Sequence, residues 1–313
     1  MTEQTTAVHA NTLKSRSDIP FYTIFIIISS IYVLLIVAML AAETTYTTPD
    51  HIWGAFAKPE IRYAIWLSLV SCAITTVLSL WVSVPIGYLM SRHDFRGKTL
   101  VDAILDIPIV LPPLVIGLCL LIMFQVEVPQ IEWVNNLLKS ISGALFGKEL
   151  FVAQGDSVDD MIRKTTGLLF GKPFGVTYEI PSVILAQFMV ACAFAVRTMR
   201  VTFDQIGPRY EQVALTLGCN RGQAFWRVVF PQAYRGLLAA GTLAWARSLG
   251  EFGPILIFSG ATRMKTEVLP TTVFLELTVG NIEGAVAASL IMVVSAMFVL
   301  VIARMFGLTR TGI

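Results

Sequence analysis

Charge is what this sequence has least of: 14% of its 313 residues are Asp, Glu, Lys or Arg, while 55% are hydrophobic. A soluble domain carries about a quarter charged residues, so the shortage points to an integral membrane protein. Histidine is scarcer still. His9, His51 and His93 are scattered outside the apolar runs, with no spacing that suits a metal ion, and no metal site is expected. Cys72, Cys119 and Cys192 fall inside apolar runs and Cys219 in a polar segment, so no disulfide framework is implied. A phosphate loop is missing as well. The two Gly-x-x-x-Gly-Lys stretches, Gly143–Lys148 and Gly167–Lys172, have one residue too few between the glycines, and Glu149 or Pro173 follows the lysine. The chain therefore cannot hydrolyse ATP, and any nucleotide site belongs to a partner. No small-residue cleavage site follows the polar residues 1–20, which read as a cytosolic tail rather than a signal peptide. The net charge of +2 carries no message about nucleic acid, because topology distributes the basic residues.

What is present is a set of apolar runs long enough to cross a bilayer, which takes about 20 residues as a helix. Six stand out: Phe21–Ala42, Ala64–Met90, Leu100–Phe124, Pro181–Met199, Gly236–Phe258 and Ile282–Phe306. The fourth is short and charge interrupts the fifth. With both termini inside, the cytosolic pieces hold thirteen Lys and Arg residues and the outer pieces nine. That excess, on shorter stretches, favours the N-in, C-in orientation. The expectation is an all-α, polytopic membrane protein of six transmembrane helices.

Between the fourth and fifth runs lies a polar segment, Pro208–Pro231, bearing Arg209, Arg221 and Arg227 and expected in the cytoplasm. Good helix formers fill Glu211–Leu217, Gly218 fits a helix C-terminus, and Asn220-Arg221-Gly222 supplies turn residues. Gln223–Phe230 resumes with Phe225, Val228 and Val229 at helical spacing, and Pro231 is expected to stop it. A compact amphipathic element of this kind suits protein docking, although spacing alone favours an ordinary structured loop.

Three further stretches carry functional signals. Asp106-Ile-Pro108-Ile-Val-Leu-Pro112-Pro113 opens the third run, and its prolines kink a helix and free backbone groups, as a plain helix start or as a gate beside a pathway. Asp102 and Asp106 are placed to cap that helix. In mid-membrane stands Arg247-Ser248-Leu-Gly250-Glu251-Phe252-Gly253-Pro254. Arg247 and Glu251 share a helix face, which makes them a structural ion pair or places Arg247 to receive an anion. Gly250 and Gly253 permit bending or close packing. Ser259-Gly260-Ala-Thr-Arg263-Met-Lys265 follows outside, with small hydroxyls and two cations that suit an oxyanion or an acidic docking surface.

The segment Pro208–Pro231 resembles the EAA loop of ABC-importer permeases, E-A-A-x3-G-x9-I-x-L-P, through Ala214, Gly218, Val228 and Pro231. Gln212, Val213 and Phe230 replace three motif residues, and the neighbouring Glu211 stands in for the lost carboxylate. Arg247–Gly253 matches the R-x-x-G-E-F-G signature of molybdate and sulfate permeases, and the basic loop with its L-P-x-V-L-P-P continuation is similar to molybdate-type permeases. The resemblance covers Ala64 to about Phe306 and implies one peripheral helix (21–60 with its outer connection) before a five-helix permease core (61–306). Residues 125–180 look like an outer-loop insertion, 200–235 a cytosolic coupling loop, and 307–313 a tail. It implies ATPase coupling through Tyr210, Glu211, Gln212, Ala214, Gly218, Arg221, Phe225 and Pro231. It implies a pathway or gate at Pro112, Pro113, Arg247, Ser248, Gly250, Glu251, Phe252, Gly253, Ser259 and Gly260.

The implied partners are a dimer of ABC ATPase subunits holding ATP and Mg, a periplasmic or lipid-anchored oxyanion-binding protein, a second permease subunit, and membrane lipid. The implied cargo is a tetrahedral oxyanion, molybdate ahead of sulfate or tungstate, moved across the bacterial inner membrane. This chain itself would bind no cofactor and would not be an enzyme. The rival class is an ATP-independent secondary transporter or channel with Arg247 and Glu251 as an intramembrane relay, but no half-to-half repeat supports it. A membrane scaffold would have no need of a polar pair in mid-membrane.

Overall fold

The computed structural model describes residues 19–45, 49–127, 155–170 and 172–308. Among them the all-α expectation holds: no strand forms, and a single isolated bridge pairs Glu127 with Ser157. The chain divides into two units, Met1–Thr48 and Pro49–Ile313. The first contributes α1 (Ile19–Thr45), 27 residues and apolar on every side, as suits a helix with lipid around it.

The second unit holds α2 (Pro49–Ala57), α3 (Pro59–Arg92), α4 (Lys98–Val110), α5 (Pro113–Gln125), α6 (Val158–Phe170) and α7 (Ile180–Gln205). Next come α8 (Arg209–Thr216), α9 (Arg221–Ala224), a π-turn (Phe225–Val229), α10 (Phe230–Gln232) and α11 (Tyr234–Leu249). The last elements are α12 (Gly253–Phe258), α13 (Leu269–Thr278) and α14 (Ile282–Leu308). The long helices α3 and α7 form the spine. Along α3, Ser68, Ser71, Thr75, Ser79 and Ser83 are all buried, at the three- and four-residue steps of one helix face. In a bilayer apolar side chains gain little by leaving lipid, so helices associate through small residues that let backbones meet. Gly87 is the tightest such place on α3, where a Cβ would stand 2.9 Å from the Arg200 backbone nitrogen of α7.

Among the described residues four helices are long and apolar enough to span a membrane: Phe21–Thr45, Pro59–Arg92, Ile180–Gln205 and Ile282–Ile302. Two of the six expected runs are not continuous helices. The third is split into α4 and α5, bent by 110°, and counting that pair as one span gives five. Its break falls at Leu111 and Pro112, both in extended backbone, as a residue preceding proline prefers. The fifth stops at Leu249 after 16 residues and restarts as the six-residue α12, with Gly250 at the break.

The proposed capping role of Asp102 is also overturned. It lies in the second turn of α4, and its carboxylate pairs with Arg200 of α7, tying the two helices together.

In the 125–180 loop the first LFGK stretch, Leu145–Lys148, lies outside the described residues. The second begins at the end of α6, with Lys172 exposed. The acidic residues there each have a different partner. Asp156 pairs with Lys164, Asp160 accepts from the backbone and hydroxyl of Ser157, and Asp159 is buried beside Arg163. Burial alone would raise the Asp159 carboxyl. The backbone N–H groups of Thr177 and Val176 and the Arg163 guanidinium outweigh it and hold the group below its ordinary range.

Candidate functional site

Two regions concentrate the polar chemistry, one at an end of the bundle and one in its middle. At the end, α8 spans Arg209–Thr216 and closes on Gly218, whose φ of +88° is a left-handed value that glycine adopts without a Cβ penalty. Asn220 then starts α9 through a capping box: its side chain accepts from the Gln223 backbone and the Gln223 side chain accepts from its own. Asn220 is thus a helix N-cap, and Arg221 and Gly222 belong to the helix rather than to a turn.

Pro231 does not end this helix. The chain runs on through the π-turn and α10 into α11, with Ala233 still in helical backbone. Proline has no N–H to donate and crowds the carbonyl four residues back. A π-turn just before it, in which the Phe230 N–H reaches the Phe225 carbonyl, absorbs that misfit.

The eight residues expected to couple to an ATPase divide by direction. Tyr210 is exposed, as are Gln212, Gly218, Arg221 and Pro231, whereas Ala214 is buried and Phe225 partly so. Glu211 turns inward: one carboxylate oxygen accepts from Tyr88 Oη at 2.6 Å and the other stands 3.5 Å from Arg92 Nε. The outward face of α8 is instead apolar, with Tyr210, Val213 and Leu217 exposed by 58%, 56% and 80%. Their spacing of three and four residues was visible in the sequence as one side of a helix. Trp226 on the π-turn is exposed beside them in sequence, and Tyr88 and Arg92, 123 and 119 residues from Glu211, had no local signal.

In the middle of the bundle, two of the expected gate stretches meet. A Cβ on Gly253 would lie 3.0 Å from Pro113 Cβ, and one on Gly117 would lie 2.7 Å from Pro254 Cα. The break before α5 and the break before α12 are therefore interlocked, and glycine is required on both sides of the contact. Arg247 Nη1 and Glu251 Oε2 pair at 3.2 Å, as their spacing predicts. The pair is asymmetric, with Glu251 1% exposed and the Arg247 side chain 32% exposed, its guanidinium 5.8 Å above the Phe194 ring. Next to it, Ser248 is buried and its carbonyl accepts from Gln187 Nε2 of α7 at 3.3 Å, while Thr75 of α3 donates to Gln187 Oε1 at 3.2 Å. Gln187 thus fixes α11 to both spine helices. Gly250 is exposed at the break and Phe252 packs on Phe274. Pro112 is exposed, while Ser259 is wholly buried and Gly260 takes φ +69°, a turn of the backbone rather than an opening.

The two cations of the following loop are already paired. Arg263 Nη2 meets Glu276 Oε1 at 3.0 Å, and Lys265 Nζ meets Glu179 Oε1 at 2.8 Å. Glu276 also accepts from Asn281 and lies 3.7 Å from Lys58. Glu267 is fully enclosed nearby. Burial pushes its carboxyl above the ordinary 4.5, and the Thr272 hydroxyl and Arg263 offset only part of that. No group of three or more metal-ligating side chains occurs among the described residues.

Membrane-length helices and breaks packed inside the bundle mark a polytopic membrane protein. The chain belongs to the family of binding-protein-dependent transport system inner membrane components, whose profile matches residues 83–308. It is accordingly a multi-pass inner-membrane permease and not itself an enzyme; the ATPase of such a system is a separate subunit. It is 26% identical over 292 residues to the sulfate transport system permease protein CysT of Salmonella typhimurium, covering 92% of this chain and 93% of that one. It is 30% identical over 247 residues to the molybdenum transport system permease protein ModB of Mycobacterium tuberculosis, covering 79% and 80%. A crystal structure of a bacterial alginate ABC transporter with its pentasaccharide-bound periplasmic protein shares the fold, with a TM-score of 0.66 at 17% identity over 94% of this chain and 96% of that one.

Proposed function

We propose that the chain forms half of the pathway of an ATP-driven importer for a tetrahedral oxyanion, with molybdate as the cargo and sulfate or tungstate as the alternatives. The observation that carries this is Arg247. It is a partly exposed cation in a helix of the bundle, beside two interlocked breaks, on the helical run that begins with α9 of the hairpin. A cation held in the middle of a membrane is costly unless a partner or a ligand engages it. Glu251 engages one side of the guanidinium, and the exposed remainder is suited to an oxyanion.

In this reading a second copy of the chain completes the pathway, and a periplasmic or lipid-anchored binding protein delivers the anion to the outer face. ATP and Mg sit on the partner ATPase dimer. The exposed stripe Tyr210, Val213 and Leu217, with Trp226 and Arg221, enters a groove on each ATPase. ATP binding then shifts the population between outward-open and inward-open states. The 125–180 loop meets the binding protein or covers the outer mouth.

Uptake of labelled molybdate by cells lacking the chain, with and without excess sulfate, tests the assignment. Loss of sulfate-resistant uptake is expected. Loss of sulfate uptake alone would change the cargo, and no loss of either would end the oxyanion assignment. In the same cells Leu217→Asp, which places a charge on the docking stripe, is expected to abolish uptake and coprecipitation of the ATPase while the chain still reaches the membrane.

A further inference from the structure

The carboxylate of Glu211 faces away from the surface on which an ATPase would dock. It is held by two side chains from the last turns of α3, and Arg92 holds a third element too: its Nη2 donates to the Ile206 carbonyl, which closes α7, at 2.8 Å. The Arg92 and Glu211 side chains are only 11% and 14% exposed, so salt screens their attraction little. The Tyr88 ring stands edge-on to Phe225 of the π-turn, with centroids 4.8 Å apart, and edge-on to Phe203 of α7 at 5.6 Å. One residue of α3 therefore grips both helices of the hairpin, α8 through its hydroxyl and the π-turn through its ring. At its other end, α3 grips the loop that follows α12. Tyr63 Oη donates to the Lys265 carbonyl at 3.0 Å, and Ser68 Oγ accepts from the Leu269 backbone at 2.8 Å.

We propose that Tyr88 and Arg92 are positioning residues that convert displacement of the hairpin into displacement of α3, and through it of the outer loop around Lys265. This rests on the docking of an ATPase at α8–α9. A packing role would need only the Tyr88 ring, whereas a directional push needs the hydroxyl and the guanidinium on the Glu211 carboxylate. A hydrogen bond to a charged group fixes geometry more firmly than ring contact does. Without it α8 slides against α3, and the ATPase cycles without moving the far end.

The test uses the complete complex of permease, ATPase and binding protein in liposomes, with labelled molybdate and labelled sulfate each supplied as cargo. Tyr88→Phe, which keeps the ring, and Arg92→Lys, which keeps the charge, are compared with wild type. Three quantities are read: ATPase coprecipitation, anions moved per ATP hydrolysed, and melting of the purified chain in detergent. The expected result is retained coprecipitation and continued hydrolysis, with transport per ATP reduced about tenfold, the scale of one charge-assisted hydrogen bond. Tyr88→Phe in a Glu211→Gln background is expected to lower that ratio by less than it does in the wild-type background, and an equal loss in both backgrounds would overturn the proposal, which keeps the test decisive if either single variant melts early. An unchanged ratio in both single variants would overturn the proposal. Loss of coprecipitation in Tyr88→Phe would also overturn it, by making this cleft part of the docking surface. If the wild-type chain itself fails to coprecipitate the ATPase, the docking assignment falls instead.

Discussion

Arg247→Ala removes the partner of a carboxylate that is 1% exposed. Breaking a buried ion pair from one side costs about 3–5 kcal/mol, because the remaining charge is stranded. Arg247 is itself a third exposed and solvent screens its side of the pair, so a cost just below that range, about 2–3 kcal/mol, is expected here. Contact with the Phe194 ring accounts for about 0.5–1 kcal/mol of it. In the Glu251→Gln background no charge is left stranded, and the same Arg247→Ala change is expected to cost about 1 kcal/mol, the ring contact and packing alone. Denaturation in mixed micelles measures the four corners of the cycle, and uptake in liposomes is measured on the same four proteins. If Arg247 receives the anion, Arg247→Ala with Glu251→Gln regains stability and still fails to transport. Recovery of transport together with stability would refute the pathway role and leave a structural ion pair. An equal cost of Arg247→Ala in both backgrounds would refute the pairing argument.

Gly117→Ala drives a methyl group to 2.7 Å from Pro254 Cα and 2.9 Å from its carbonyl oxygen, backbone atoms that cannot turn aside. It is expected to cost about 1–3 kcal/mol in the same micelle assay. Glu267→Gln is expected to raise the melting temperature at pH 7 and to leave it unchanged near pH 4. The sign follows from a folded-state pKa raised above 4.5: the stability linked to the bound proton is complete below the unfolded value and is lost as pH rises through the folded one.

Local chemistry was legible in the sequence and distant chemistry was not. The Glu211–Leu217 helix, the left-handed Gly218 and the Arg247–Glu251 pair each follow from spacings of a few residues, and each is present. Pro231 was misjudged because a proline rule speaks only of the four residues before it, and the π-turn that accommodates the ring is invisible in composition. Bends in the third and fifth spans were legible from their prolines and glycines, but hydropathy cannot see that Pro113 and Gly253 lock two half-helices together. The inward turn of Glu211 depends on Tyr88 and Arg92, whose meeting with α8 is a product of the whole α3–α7 pairing. Arg263 and Lys265 looked available for an anion because Glu276 and Glu179 come from other parts of the chain.

The π-turn has a consequence for how α11 is phased. An α-helix advances about 100° per residue, and a π-turn holds one residue more than the helix needs. Deleting one residue of Phe225–Val229 would remove the bulge and leave the phase beyond it nearly as it is, whereas restoring ordinary winding there with all five residues kept would rotate everything beyond it by about the 100° of one residue. Ser248 would leave Gln187, and Arg247 would face another neighbour, with no change in either residue. That five-residue stretch acts as an angular setting for the mid-membrane cation, and its π winding is what holds the setting.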